Sequence, residues 1–232
     1  MRFETKVKDV IVRAHNVKSF RFDRPASFDY RAGQFMFVTI MGGEEKMDKH
    51  FSISSSPTEE DHIEFTKKLT GSPFSNALDA LRVGDWAEVD APYGDFTYDG
   101  EYGKLAMLTG GIGITPLRSI CRYCTDMGSA AEIALLYGCR TEGDLVFRDE
   151  FEEMRLRNKN LKVVFFLEEP GEGWAGRRGM ISAEAIRDEI PDFMERAFYI
   201  CGPPAMVEAM AKVLRDLSVP EGQIKEEGFP GY

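Results

Sequence analysis

The strongest constraint on the fold is a change of pattern near residue 100. Before it, the chain reads as short β runs divided by turn residues. After it, apolar β runs alternate with helical stretches. In the first part Phe3 to Val12 alternates in places, and Lys18 to Phe22 sets Phe20 and Phe22 on one face. Gln34 to Ile40 is a β-branched and aromatic run, followed by Phe51 to Ser54, Ile63 to Thr66 and Trp86 to Val89. Gly33, Gly42-Gly43, Pro57, Gly71, Gly84, Pro92 and Gly94 separate them. Short strands at this spacing predict an antiparallel barrel or sandwich. One helix interrupts them: Ser72 suits the N-cap, Pro73 the first helical position, and Ser75 to Leu81 carries the turn.

From about Lys104 strands and helices alternate. Leu105 to Leu108 runs into a glycine cluster and a helix from about Pro116. Ile133 to Tyr137, Val163 to Leu167 and Phe198 to Cys201 read as strands. Leu145 to Arg157, Ala183 to Glu189 and Pro204 to about Leu217 read as helices. This order predicts an α/β domain with a parallel sheet and ligands at the carboxyl ends of its strands. Two domains follow, 1–100 and 101–232, with the boundary between Tyr98 and Lys104. A length of 232 residues, 43% of them hydrophobic, supplies two small cores and excludes a disordered chain.

Charge and cysteine usage narrow the function classes. The net charge is −10 and no basic stripe is visible, which argues against nucleic acid as a partner. No apolar run approaches the roughly 20 residues of a membrane span. The N-terminal MRFETKVKD lacks the apolar stretch of a secretory signal. The cysteines, at 121, 124, 139 and 201, are few for a disulfide scaffold, and they miss the C-x4-C-x2-C spacing of a plant-type ferredoxin. The three histidines, at 15, 50 and 62, have no metal-ligand spacing. The expectation is a cytoplasmic monomer without a metal. Cys121 and Cys124 form a C-x-x-C inside a helix rather than at its N-terminus, so packing explains them. Glu59, Glu60 and Asp61 read as a solvated turn.

Six segments can carry chemistry. Leu108-Thr-Gly-Gly-Ile-Gly-Ile-Thr-Pro116 joins a strand to a helix, where glycines let backbone N–H groups approach phosphate. A tight turn needs glycine as well, so this segment alone leaves both readings open. The others are Lys49-His-Phe-Ser-Ile-Ser-Ser-Ser-Pro57, Gly71-Ser-Pro-Phe-Ser75, Ala91-Pro-Tyr-Gly-Asp-Phe96, Tyr199-Ile-Cys-Gly-Pro-Pro204 and the tail Glu227-Gly-Phe-Pro-Gly-Tyr232.

In this order the segments resemble the ferredoxin–NADP reductase superfamily over essentially the whole chain. That family has an antiparallel FAD-binding barrel followed by a pyridine-nucleotide domain. Lys49, His50, Phe51 and Ser52 match its R-x-Y-S/T element, with His50 at the variable position. The resemblance implies that Ser52 bonds the flavin near N5 and that Phe51 packs on its ring. Phe65, Thr66 and Lys67 line the ribityl and adenosine side, and Gly71, Ser72 and Ser75 hold the pyrophosphate. Gly110, Gly111, Gly113 and Thr115 belong to the nucleotide turn, and Arg140 closes a Tyr-Gly-x-Arg element. Cys201, Gly202 and Pro203 match the Cys-Gly-Pro element beside the nicotinamide. Glu227 lies near the flavin edge, and Tyr232 or Phe229 covers the flavin face. Ser52, Cys201 and Glu227 are the implied catalytic residues.

The implied activity is FAD-dependent NAD(P)H oxidation, with hydride passing to flavin N5 and electrons to a separate acceptor. That acceptor is ferredoxin, flavodoxin or an oxygenase component, with a free quinone or free flavin also open. The alternative is a non-catalytic flavin relay subunit of a larger complex. Acidic ferredoxins meet a chain of charge −10, so a basic cluster near the flavin edge is required for them. Lys49 replaces the usual Arg and Phe51 the usual Tyr, which predicts FAD binding weaker by about tenfold or more. Arg177 and Arg178 tilt the nucleotide choice slightly towards NADPH over NADH.

Overall fold

The structure, a computed structural model, describes residues 1–229. Six strands form the first sheet: β1 (Arg2–Ala14), β2 (Val17–Asp23), β3 (Phe35–Gly42), β4 (Glu45–Ser52), β5 (His62–Lys68) and β6 (Trp86–Tyr93). Their order is β4-β3-β6-β1-β2-β5, and every pairing is antiparallel. The ends meet through a bridge between Ile53 and Phe65, which curls the sheet into a barrel. Period-2 alternation fills it: Met36, Val38 and Ile40 from β3 meet Phe20, Phe22 and Phe65 inside. Strand β4 starts at Glu45, six residues before the expected run. Its outer half, Glu45 to His50, is polar apart from Met47, so its pairing with β3 makes it a strand. Helix α1 (Pro73–Ala80) starts as expected, with Ser72 Oγ accepting from the Ser75 N–H.

The second sheet is parallel throughout. It contains β7 (Lys104–Gly110), β8 (Glu132–Cys139), β9 (Leu161–Leu167), β10 (Arg177–Arg178), β11 (Ala197–Gly202) and β12 (Ile224–Gly228), in the order β10-β9-β8-β7-β11-β12. Four helices flank it: α2 (Ile114–Asp126), α3 (Arg148–Arg157), α4 (Ala183–Glu189) and α5 (Pro204–Asp216). One face packs on α2 and α3, in a cluster that also takes Val17, Ala32 and Phe96 from the first hundred residues. The other face packs on α4 and α5. Strand β7 has β8 on one side and β11 on the other. The chain therefore reverses direction of winding there, and a crevice opens at the carboxyl ends of β7 and β11.

Three local readings change. Helix α2 starts at Ile114 after a tight turn over Gly111–Gly113, so Pro116 lies within its first turn. Helix α3 starts at Arg148 rather than Leu145, because Phe147 adopts a left-handed φ of 63°. Glu59 is not solvated: its carboxylate binds the buried Arg118 guanidinium, while Asp61 remains exposed. No helix among the described residues is long and apolar enough to cross a membrane. The described residues also contain no cluster of three potential metal ligands.

Candidate functional site

Strands β3, β4 and β5 and the end of β12 enclose a cavity of about 500 Å³. Lys49, His50, Phe51, Ser52, Thr66, Lys67, Thr115, Glu227 and Phe229 all line it, together with Phe35, Phe37 and Asp48. Nine residues singled out in separate segments of the sequence thus meet in one place. Burial, and then the like charge of Lys49, lower the pKa of the Lys67 ammonium. Two ammonium groups beside an apolar floor suit an anionic nucleotide with a flat ring system, which is what FAD requires. Phe51 rests on Phe65, with ring centroids 4.4 Å apart and planes 15° from parallel. Phe65 is therefore the support behind Phe51 rather than part of the wall. Thr66 Oγ1 lies within hydrogen-bond distance of Ser19 Oγ, at 2.6 Å.

The start of α1 does not line this cavity. Ser72 Oγ accepts from the Ser75 N–H, and Ser75 Oγ accepts from the Thr70 N–H. These hydroxyls shape the Gly71–Ser75 loop, which leaves backbone N–H groups as its means of meeting phosphate. An aromatic rim was not singled out in the sequence. Phe37 meets Tyr93 edge-on at 5.3 Å, and Phe35 stacks on Tyr93 at 5.8 Å. Its signal was present: Phe35 and Phe37 alternate with the core residues Met36 and Val38.

A larger cavity, about 890 Å³, opens at the carboxyl ends of β7, β8 and β9. Gly110, Gly111, Arg140 and Pro203 line it, as do Asp144, Glu168, Glu169, Met206 and, from the barrel, Asn16, Val17 and Lys68. Gly111 takes φ 54°, and its carbonyl accepts from the buried Tyr137 hydroxyl at 3.0 Å. Gly113 packs against the Cys201 and Gly202 backbone with no room for a Cβ. A glycine turn feeding a helix, beside a long apolar pocket, fits a dinucleotide. Arg140 pairs with Glu169 at 3.0 Å. Arg177 turns away to Asp188 and Glu189, and neither Arg177 nor Arg178 lines the pocket. Three carboxylates face the pocket where the arginine pair had suggested positive charge.

Cys201 lies between the two cavities and lines neither: its register partner Thr109 lines the larger one and its other partner, Glu227, the smaller. It is fully buried, in register with Thr109 on β7 and Glu227 on β12. Thr109 Oγ1 donates to the Cys201 carbonyl at 2.8 Å. The Cys201 Sγ lies 3.9 Å from Glu227 Oε2. Burial, then the Glu227 charge, pushes the Cys201 thiol well up, so it stays neutral and is no nucleophile. Burial also pushes the Glu227 carboxyl up to about 7. Phe229 donates its N–H to the Gly202 carbonyl at 3.0 Å and lines the smaller cavity. Tyr232 lies outside the described residues.

The Glu227 shift has a sign that stability can test. In the FAD-free protein its folded pKa is above the unfolded value. Below about pH 4 both states hold the proton, so the carboxyl costs little. From there up to about 7 the unfolded chain has released a proton that the folded state keeps, so stability falls across that window and levels off above it, where both states are ionised. Glu227→Gln is expected to match the wild type in melting temperature near pH 4, to exceed it increasingly up to about pH 7, and to keep that margin at higher pH. A difference that stays constant from about pH 4 to about pH 7 overturns the assignment.

Comparison with known proteins agrees with the site. Residues 4–98 match the oxidoreductase FAD-binding domain family, and residues 107–212 match the oxidoreductase NAD-binding domain family. The reductase component of propane 2-monooxygenase from Mycolicibacterium goodii is 33% identical over 235 residues, covering 97% of this chain and 67% of that protein. The glycine betaine monooxygenase reductase subunit from Chromohalobacter salexigens is 31% identical over 236 residues, covering 98% of this chain and 64% of that protein. The chain thus spans about two thirds of the length of these relatives. Among solved structures, the cytochrome b5 reductase domain of Ulva prolifera nitrate reductase superposes with a TM-score of 0.85 at 25% identity, covering 98% of this chain and 97% of that one. A ferredoxin NADP+ reductase from Neisseria gonorrhoeae shares the fold, with a TM-score of 0.84 at 22% identity and coverage of 98% of each chain. Both domain families in this order, and these identities along nearly the whole chain, place it in the ferredoxin–NADP reductase superfamily of FAD- and NAD(P)H-dependent oxidoreductases.

Proposed function

We propose that this chain is the reductase component of a multicomponent redox system, oxidising NADH and delivering electrons to a separate protein acceptor. The observation that supports this reading is that the two cavities lie on either side of β11, with Thr109 lining one and Glu227 the other, both in register with Cys201. Residues 1–100 serve as the FAD unit and 101–232 as the nucleotide unit. FAD, when bound, takes up hydride at N5 and returns electrons to an acceptor. The chain's own residues bind, align and exclude water.

Lys49, Lys67 and the backbone N–H groups of the Gly71–Ser75 loop would meet the FAD phosphates, apart from Pro73, which has no N–H, and Ser75, whose N–H is taken by Ser72 Oγ. Phe51 and Thr66 flank the cofactor, and the Ser52 hydroxyl bonds the ring edge. Gly110 and Gly111 would admit the dinucleotide phosphates, while Gly113 packs against β11 behind them. Gly202 and Pro203 would direct its nicotinamide end towards the carboxyl end of β11, where the buried Cys201 supports the backbone behind the site. Glu227, with a carboxyl that titrates near neutrality, holds or yields a proton beside it. NADH fits better than NADPH because Asp144, Glu168 and Glu169 line the pocket.

The two relatives above 30% identity named above are reductase parts of monooxygenases, which supports an oxygenase component as acceptor over ferredoxin or flavodoxin. The aromatic rim of Phe35, Phe37 and Tyr93 suits the face such a partner meets. The buried free thiols fit a reducing compartment and a monomer in the cytoplasm.

The test is an absorption spectrum of the purified protein with added FAD. Flavin bands that bleach anaerobically with NADH support the reading, and no flavin binding at all removes it. Bound flavin that neither nucleotide bleaches would favour the relay subunit. Lys49→Arg/Phe51→Tyr is expected to tighten FAD binding by about tenfold in a fluorescence titration, since each restored hydrogen bond is worth about 1 kcal/mol. An unchanged affinity would show that neither departure matters.

A further inference from the structure

Helix α2 faces the smaller cavity and the barrel at once, and the turn that leads into it, Gly110 to Ile112, lines the larger cavity. The first turn of the helix carries Thr115 into the flavin-side cavity, and Gly113, just before it, packs on the Cys201-Gly202 backbone. One turn further, Arg118 is 1% exposed. Its Nη1 donates to the Ser54 carbonyl at 2.9 Å and also to Glu59 Oε2. Its Nη2 donates to Glu59 Oε1 at 3.0 Å and to Glu150 Oε2 at 2.7 Å. Its Nε donates to Glu150 Oε2 at 3.0 Å. All five guanidinium N–H groups therefore have acceptors, a set that a lysine ammonium cannot reproduce. The next residue, Ser119, donates to the Ser55 carbonyl at 2.6 Å.

The network extends into the barrel. Glu150 accepts from Arg13 at 2.7 Å, Arg13 reaches Glu64 at 3.1 Å, and Arg21 reaches Glu64 at 2.8 Å. Ser54 Oγ donates to Glu64 Oε1 at 2.8 Å. Arg13, Arg21 and Arg118 balance Glu59, Glu64 and Glu150. Burial alone would discharge Glu59 and Glu64, but the surrounding guanidiniums hold both carboxyls below their ordinary range. Ion pairs this buried contribute little net stability against an apolar alternative, so they are better at fixing geometry.

The geometry they fix spans the reaction centre. Ser54 and Ser55 follow Ser52 by two and three residues, and Gly113 precedes Arg118 by five. We propose that Arg118 is a positioning residue for hydride transfer, clamping the Ser52–Ser55 segment to the start of α2 so that the flavin and nicotinamide ends keep one separation. This rests on the proposed function. Neither half-site is itself touched by the clamp. Loss of it should slow transfer while leaving each nucleotide's own binding nearly intact.

The test uses Arg118→Met, Arg118→Lys and the milder Glu59→Gln in the full chain. Wild type must first bleach with NADH; failure there overturns the functional reading and not the clamp. For Arg118→Met the bleaching rate at saturating NADH is expected to fall by about tenfold to a hundredfold, the scale of a misplacement near 1 Å, with KM for NADH and FAD affinity within about threefold. Lysine should restore only part of the rate. In the FAD-free protein, amide exchange over residues 54–59 and 114–119 should quicken in the variants, while β8 and β9 stay protected. If Arg118→Met does not fold, Glu59→Gln carries the test with a smaller fall in rate and the same local exchange. An unchanged rate, a KM rising in step with the loss of rate, or exchange that quickens everywhere alike overturns the proposal.

Discussion

NADH is expected to be used at least about a hundredfold better than NADPH, measured as kcat/KM for flavin reduction. NADPH differs by one added phosphate on the adenosine ribose, so the question is which charges that phosphate meets. The pocket offers Asp144, Glu168 and Glu169 against Arg140 and Lys68. Arg140 is already taken by Glu169, and Arg177 by Asp188 and Glu189. A carboxylate within about 4 Å of a phosphate charge costs about 4 kcal/mol at the effective dielectric of a protein surface. Discounted for the nearby cations, about 3 kcal/mol remains, and each 1.4 kcal/mol is about a factor of ten. The variant Glu168→Gln/Glu169→Gln removes that repulsion and frees Arg140. It should raise kcat/KM with NADPH by about tenfold or more and leave NADH within about threefold. Equal use of the two nucleotides by the wild type would show that these carboxylates do not face the ribose.

That charge pattern also shows where sequence reading stopped. Phe35 to Ile40 and Leu105 to Leu108 declared themselves because burial on one face or two imposes its own periodicity. Ser72 and Pro73 declared the start of α1 because a helix end demands such residues. The outer half of β4, Met47 apart, and β12 after Ile224 are polar, and become strands because a neighbouring strand offers its hydrogen bonds. Most of the residues that line the smaller cavity sit in short segments that the sequence sets apart, Lys49 to Ser52, Thr66-Lys67 and Glu227 to Phe229, and the fold brings these segments together. Glu168, Glu169, Lys68 and Arg118 were not legible, because each gains its meaning from a partner far along the chain. Arg118 reads as an ordinary helical arginine and Glu59 as a solvated turn residue until the fold sets them face to face across a separation of 59 residues. Arg177 and Arg178 failed in the opposite sense: adjacency suggested a phosphate clamp, and topology gave Arg177 to a helix carboxylate instead.

Gly113→Ala is expected to have the second large effect, and its cause is space alone. The residue has φ −59°, which alanine adopts freely, so no backbone strain is involved. An added Cβ would lie 2.5 Å from Gly202 Cα and 2.7 Å from the Cys201 carbonyl carbon. Both are backbone atoms of β11, held on two sides by β7 and β12. A flexible side chain could swing away; a central strand cannot. Either the start of α2 lifts from β11 or the glycine turn unwinds, and both displace the place where the nicotinamide end must sit. Overpacking of this kind costs about 1–3 kcal/mol, and a misplacement near 1 Å costs about a hundredfold in rate. Gly113→Ala should therefore melt several degrees lower and lose about a hundredfold in NADH-dependent flavin reduction, with FAD affinity within about threefold. Gly103→Ala is the control: nothing lies within 4 Å of its added Cβ, and its effect should be negligible. If Gly113→Ala instead behaves like that control, the contact between the glycine turn and Cys201 does not set the nucleotide's position, and the alignment must come from the Arg118 side of the helix alone.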